Sequence, residues 1–323
     1  MADPSSDDGN RREPGAPDGG PPADGATATA DGPEIGDGPE IGDGPATADE
    51  PGTGDGTASS AADRAGGLGV AVAVATALIL GVLGPALALL SGGVVLGVNA
   101  VTGGLPLAAS LVLTLVLGQY VAFGGLAVVY LTWRGLDRSG IVAYLGVRRP
   151  SLKEVGLIVG SWALILVTIL VVSVVVQQLG TETASNQSAE LAMQNPAIIP
   201  LLIAASFLVI GPSEEILYRG VVQGRLRETL SPAPAILIAS AIFAAVHVMA
   251  LTGGASARLT TIAILFLPSI VFGAVYEYTE NLVVPALLHG LHNAVIFTIL
   301  YITIAYGDEI QEAAGGSAAL LPV

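Results

Sequence analysis

The chain has 323 residues, 52% of them hydrophobic and only 12% charged, with a mean hydropathy of +0.71 and a net charge of −15. That balance excludes an ordinary soluble domain and fits a polytopic membrane protein. The absence of cysteine excludes disulfides, thiolate catalysis and cysteine metal sites, and so acidic a chain offers nucleic acid no partner. One lysine, Lys153, stands against eleven arginines, a composition resembling that of proteins from salt-loving archaea.

The acidity is concentrated at the start. Residues 1–66 hold 15 of the 27 acidic residues and only Arg11, Arg12 and Arg64, a net −12. They are rich in Gly, Pro, Asp, Ala and Thr and nearly free of large apolar side chains. Such a segment cannot bury enough surface to offset its ordering entropy, so a disordered, cytoplasmic, acidic tail is expected. The sequence Asp-Gly-Pro-Glu-Ile-Gly occurs at 31–36 and again at 37–42, too few copies for a repeat architecture. The tail also lacks the basic start and apolar centre of a signal peptide.

From residue 67 onward the pattern predicts an all-α, polytopic domain extending to about residue 306, followed by a short C-terminal tail at 307–323. Apolar runs long enough to span a bilayer, roughly 20 residues each, fall near 67–91, 107–132, 155–178, 197–219, 233–251, 260–278 and 282–306. The loop at 133–154 carries Arg134, Arg138, Arg148, Arg149 and Lys153, and Arg225 and Arg227 follow the fourth run. The loop at 179–196 carries no Arg or Lys. Basic loops stay in the cytoplasm, so a multi-pass cell-membrane protein is predicted, with its N-terminus inside and its C-terminus outside.

Ionisable side chains at membrane depth cost about 2.5–3.5 kcal/mol each on insertion scales, which makes each one a candidate functional group. The fourth run ends in Gly-Pro-Ser-Glu-Glu-Ile-Leu-Tyr-Arg-Gly, residues 211–220. Glu215 and Arg219 are four apart, acid before base, on one helical face. Glu214 is rotated roughly 100° away and is left free for chemistry. All three histidines lie further on: His247 four residues after Phe243, and His289 with His292 in the last run. His289 and Asn293 are four apart and project from one face. His292 has no assigned role.

Glutamate and histidine suit the binding and deprotonation of a water, directly or through a metal. A second histidine and an asparagine amide suit a developing oxyanion. Together these groups are an inventory for amide hydrolysis by water. Zn²⁺ held by Glu214, His247 and His289 is one possibility of the right chemistry, although the usual His-Glu-x-x-His helix motif is absent.

Three short motifs in order carry a resemblance. Glu214, Glu215 and Arg219 form EExxxR; Phe243 and His247 form FxxxH; His289 and Asn293 form HxxxN. The chain thereby resembles the CPBP intramembrane proteases, the family of CAAX prenyl endopeptidases (Rce1-like) and bacteriocin-processing, or Abi, proteins. The stretches Leu-Gly-Val-Arg-Arg-Pro-Ser-Leu-Lys-Glu-Val-Gly at 145–156 and Tyr-Glu-Tyr-Thr-Glu-Asn before the last run look like the family's as well. The resemblance extends over about 110–306 and places a protease core at about 155–306.

The resemblance implies an endopeptidase acting on a membrane-embedded or lipidated protein substrate, with an active site opening toward the cytoplasm. Glu214 and His247 would activate the water, His289 and Asn293 would hold the oxyanion, and Glu215 and Arg219 would support them. Members are described as metallo- or glutamate-type proteases, so a Zn²⁺ cofactor stays open. Two other classes compete: a proton- or ion-coupled transporter using the same buried acids and histidines as a relay, and a non-catalytic scaffold or immunity protein of the same fold.

Overall fold

A computed structural model of the chain describes residues 56–313. Nine helices follow one another: α1 (Gly56–Thr102), α2 (Leu107–Trp133), the short α3 (Arg138–Tyr144), α4 (Leu152–Gln178), the short α5 (Gln187–Gln194), α6 (Pro196–Arg227), α7 (Pro232–Ala250), α8 (Ala255–Thr279) and α9 (Val283–Ala313). Two-residue strands, β1 (Ser185–Asn186) and β2 (Leu251–Thr252), pair antiparallel. The seven long helices are each apolar and long enough to cross a membrane, in the order the hydropathy pattern predicts. Most of the expected tail, residues 1–55, lies outside the described residues, and α1 begins at Gly56, within its expected extent. At the other end α9 runs on to Ala313, past the expected boundary at 306.

The helices turn apolar side chains outward on one side and pack against each other on the other. On α4 the exposed face is a row of Val159, Val167, Val171 and Val174, while Ile158 and Ile165 point inward. One apolar cluster joins α1, α2, α6 and α7 through Leu80, Phe123, Leu131, Leu217, Tyr218, Val221 and Phe243. A second joins α4, α8 and α9 through Ile165, Phe272, Val284 and Leu288. Tyr218, wholly buried, donates its hydroxyl to the Gly81 carbonyl of α1 at 3.0 Å.

Two glycines bring α6 against α9. A β-carbon at Gly211 would lie 2.7 Å from the Ala286 carbonyl and 3.1 Å from the Gly290 amide nitrogen. One at Gly290 would lie 2.8 Å from the Phe207 ring and 2.9 Å from the Ser206 carbonyl. Small residues are how membrane helices bring their backbones together. Here that approach lies beside Glu214, Glu215 and His289.

The loop between α2 and α4 clasps the turn before α9. Ser151 and Glu154 form a reciprocal capping box that starts α4. Arg148 holds Glu154 through both guanidinium nitrogens, at 2.6 and 2.9 Å, and also donates to the Thr279 carbonyl at 3.0 Å. Leu282 donates its amide to the Leu145 carbonyl. Gly146 has φ +64°, and a β-carbon there would fall 1.8 Å from the Glu280 carbonyl oxygen. Only glycine meets both demands. The start of α9, and so the height of His289, is fixed by this loop.

Candidate active site

Glu214 and Glu215 sit on α6 between π-helical stretches at Ser206–Ile210 and Ile216–Gln223. Such wider turns inside α-helices are rare and occur frequently at functional sites. The i,i+4 pairing expected from the sequence is present: Arg219 Nε donates to Glu215 Oε2 at 2.9 Å, and both side chains are fully buried. Arg219 Nη2 donates to Ser269 Oγ of α8 at 3.0 Å. The guanidinium also lies over the rings of Phe243 and Phe272, 5.1 and 5.9 Å from their centres, where the π faces attract the cation.

Glu215 does more than balance that arginine. Its Oε1 is 2.9 Å from His289 Nδ1. A carboxylate only accepts, so Nδ1 carries the proton and Nε2 is left to face the site. Phe272 stacks on the His289 ring at 4.9 Å, and Phe243 meets it edge-on at 5.9 Å. One carboxylate thus orients both the arginine and the histidine. The sequence reading gave it the arginine alone.

Glu214 does not join that ion pair. Its Oε1 accepts from Gln119 Nε2 of α2 at 3.1 Å. Its Oε2 is buried, has no hydrogen-bond partner, and stands 3.9 Å from His289 Nε2. His247 begins the tight final turn of α7, His247–Ala250. Its Nδ1 lies 2.7 Å from the Phe243 carbonyl, which can only accept, so Nδ1–H donates to it and Nε2 keeps the lone pair. Its ring packs 4.6 Å from that of Phe243, the residue that also touches His289. Asn293 is partly buried one turn beyond His289, with no hydrogen-bond partner among the described residues. His292 meets the edge of Phe272 at 6.3 Å.

The structure therefore brings Glu214, Glu215, Arg219 and His289 into one contiguous cluster. His247 joins it through Phe243, and Asn293 through the face it shares with His289. A zinc set is a separate matter. His247 and His289 each have Nδ1 engaged, which leaves Nε2 for the site. Yet among the described residues no three His, Asp or Glu side chains close on one point. Glu214, His247 and His289 as placed do not form a metal cage, and we derive no step through a metal.

Three contributors escaped the sequence reading. Gln119 had a signal, a lone amide inside the apolar run Leu-Gly-Gln-Tyr-Val. Ser269 and Phe272 had none, since serine and phenylalanine are ordinary in membrane helices.

Residues 196–295 match the family model described as Rce1-like: type II CAAX prenyl endopeptidase Rce1-like. They form an Rce1-like domain. The domain covers α6, α7, α8 and the part of α9 that carries His289 and Asn293, so every residue of the three motifs lies within it. The Rce1-like family is one of proteases. No curated protein and no solved structure matches the chain. Gln119 and the clasp at 145–154 lie outside the Rce1-like domain and are added to it by the remainder of the fold.

Proposed function

We propose that the protein is an intramembrane endopeptidase of the CAAX-processing type, cleaving a lipidated or otherwise membrane-associated protein with a glutamate-activated water. The observation that carries this reading is a buried, unpartnered carboxylate oxygen, Glu214 Oε2, facing an imidazole that a second carboxylate holds in place. Both lie inside a domain of the Rce1-like protease family.

In this mechanism a water donates to Glu214 Oε2 and lies within reach of His247 Nε2. As the water oxygen attacks the scissile carbonyl carbon, its proton passes to Glu214, and the carbonyl electron pair moves onto oxygen. His289, as imidazolium, donates from Nε2 to that oxyanion, and the Asn293 amide supplies a second donor. Collapse re-forms the carbonyl and breaks the C–N bond, and Glu214 returns the proton to the leaving amine. Phe243 and Phe272 keep bulk water off the two rings, which strengthens every charge interaction inside. The arginines after α2, before α4 and at the C-terminal end of α6 support a cytoplasmic position for those three ends, and with it a cytoplasmic N-terminus.

The test is cleavage, by the full chain in proteoliposomes, of a quenched-fluorescent peptide bearing a prenylated cysteine four residues from its C-terminus. Glu214→Gln, His247→Ala, His289→Ala and Asn293→Ala should each lose turnover by about 10²-fold or more while still inserting in the membrane. Chelators such as 1,10-phenanthroline should leave the wild-type rate unchanged. Wild-type turnover by the Glu214→Gln protein would end the proposal. A chelator loss restored by zinc would replace its metal-free form.

A further inference from the structure

We infer that Gln119 of α2 is a positioning residue for Glu214, and that the site is therefore completed by a helix outside the Rce1-like domain. This rests on the proteolytic reading and deepens it. Gln119 lies in a π-helical stretch of α2, Val116–Gly125, which packs against the part of α6 that carries Glu214. The next residue, Tyr120, anchors the same contact by donating its hydroxyl to the Leu208 carbonyl within the Ser206–Ile210 stretch of α6. Two adjacent side chains of α2 thus bond α6 on one flank of Glu214. On the other flank Glu215 is held by Arg219 and His289.

The amide has a defined orientation. Glu214 Oε1 can only accept, so it is the NH₂ group of Gln119 that faces it, at 3.1 Å. Gln119 Oε1 is then a buried acceptor without a partner, as is Glu214 Oε2. Two buried acceptors on adjoining groups share one want: a donor with two hydrogens. A water between them would satisfy both, and it would stand on the Glu214 oxygen that faces His289 Nε2. Buried polar atoms left without partners at a polar site are commonly served by an ordered water. Gln119 accordingly has two tasks. It stops the Glu214 carboxylate from rotating about its last torsion, and its carbonyl orients the attacking water. Neither task is replaced by Arg219, whose bonds go to Glu215 and Ser269.

The experiment compares Gln119→Met and Gln119→Leu with wild type, using the same prenylated, quenched peptide and the full chain in proteoliposomes. Both variants place an apolar side chain of similar bulk there and lose the N–H donor. Losing a hydrogen bond to a charged group predicts a fall in kcat of about 10- to 100-fold, with KM within about twofold and the thermal unfolding midpoint in detergent close to wild type. Gln119→Met with a wild-type kcat, or a loss confined to KM, overturns the inference, because it assigns Gln119 to packing or substrate binding. If Gln119→Met fails to fold, Gln119→Leu decides alone, a wild-type kcat overturning the inference. The two levels fail differently. Wild-type turnover by Glu214→Gln, or no cleavage by the unaltered protein, ends the proteolytic reading and this inference with it. An inert Glu214→Gln beside a fully active Gln119→Met ends this inference alone.

Discussion

Replacing Glu215 by leucine should separate the structural task of the buried cluster from its chemical one. In the native protein the Arg219 charge, wholly buried, is met by Glu215 at 2.9 Å and by one serine hydroxyl. Glu215→Leu leaves the cation with Ser269 and two aromatic faces. Removing one partner of a buried ion pair costs about 3–5 kcal/mol, because the survivor is left charged and dry. At about 2–4 °C per kcal/mol for a domain of this size, the unfolding midpoint in detergent should fall by on the order of 10 °C. Replacing both partners, as Glu215→Leu with Arg219→Met, removes the stranded charge and should return most of that stability. Activity should not return. His289 Nδ1 has lost its acceptor, so Nε2 is no longer aimed, and the oxyanion donor is lost at about 10²- to 10³-fold in kcat. Thermal unfolding and peptide cleavage on the four proteins of the cycle measure both quantities. If the single variant melts with wild type, or if the double variant cleaves at the wild-type rate, the division of labour argued here is wrong.

Other expectations follow from the clasp. Gly146→Ala meets a positive φ and the Glu280 carbonyl together, so it should cost about 1–3 kcal/mol from the backbone alone, read as a lower melting midpoint. Arg148→Ala breaks a two-armed pair with Glu154, but Arg148 is about half exposed. Its loss should therefore lower the melting midpoint only slightly, and wild-type melting followed against salt should show that contribution shrinking. Tyr144 packs beneath Gly224, and burial raises its hydroxyl from 10.0 to about 12. The neutral phenol is therefore favoured in the fold. Its share of stability is full below pH 10 and is lost as the pH climbs through 12. Tyr144→Phe should flatten that alkaline limb of a melting-against-pH curve, and an unchanged limb would show that another group controls it.

Much of this was legible in the chain because membranes make sequence talk plainly. Seven apolar runs read as seven helices since lipid offers backbone groups no partner. Charges at depth stood out against them, and the offset between Glu214 and the Glu215–Arg219 pair followed from the turn angle of a helix. Three things did not follow. The sharing of Glu215 between Arg219 and His289 depends on how closely α6 and α9 approach, which two glycines set and no spacing reveals. The contribution of Gln119 depends on α2 lying beside α6, a matter of packing between runs far apart in sequence. The failure of three ligands to close on a metal position is a matter of distances that residue types do not carry.

The π-helical stretch at Ile216–Gln223 has a consequence for how this protein tolerates change in length. Each wide turn accommodates a residue that an α-helix would have no room for, so the stretch behaves as an insertion concealed within an unbroken rod. A chain shorter by one residue there could still form a straight helix. Its two ends would be out of phase: with the carboxylates still aimed at His289, Arg227 would swing off Glu277, its partner at 2.8 Å. Length, more than residue identity, is what keeps the carboxylate-bearing end and the arginine-bearing end of α6 facing their separate partners.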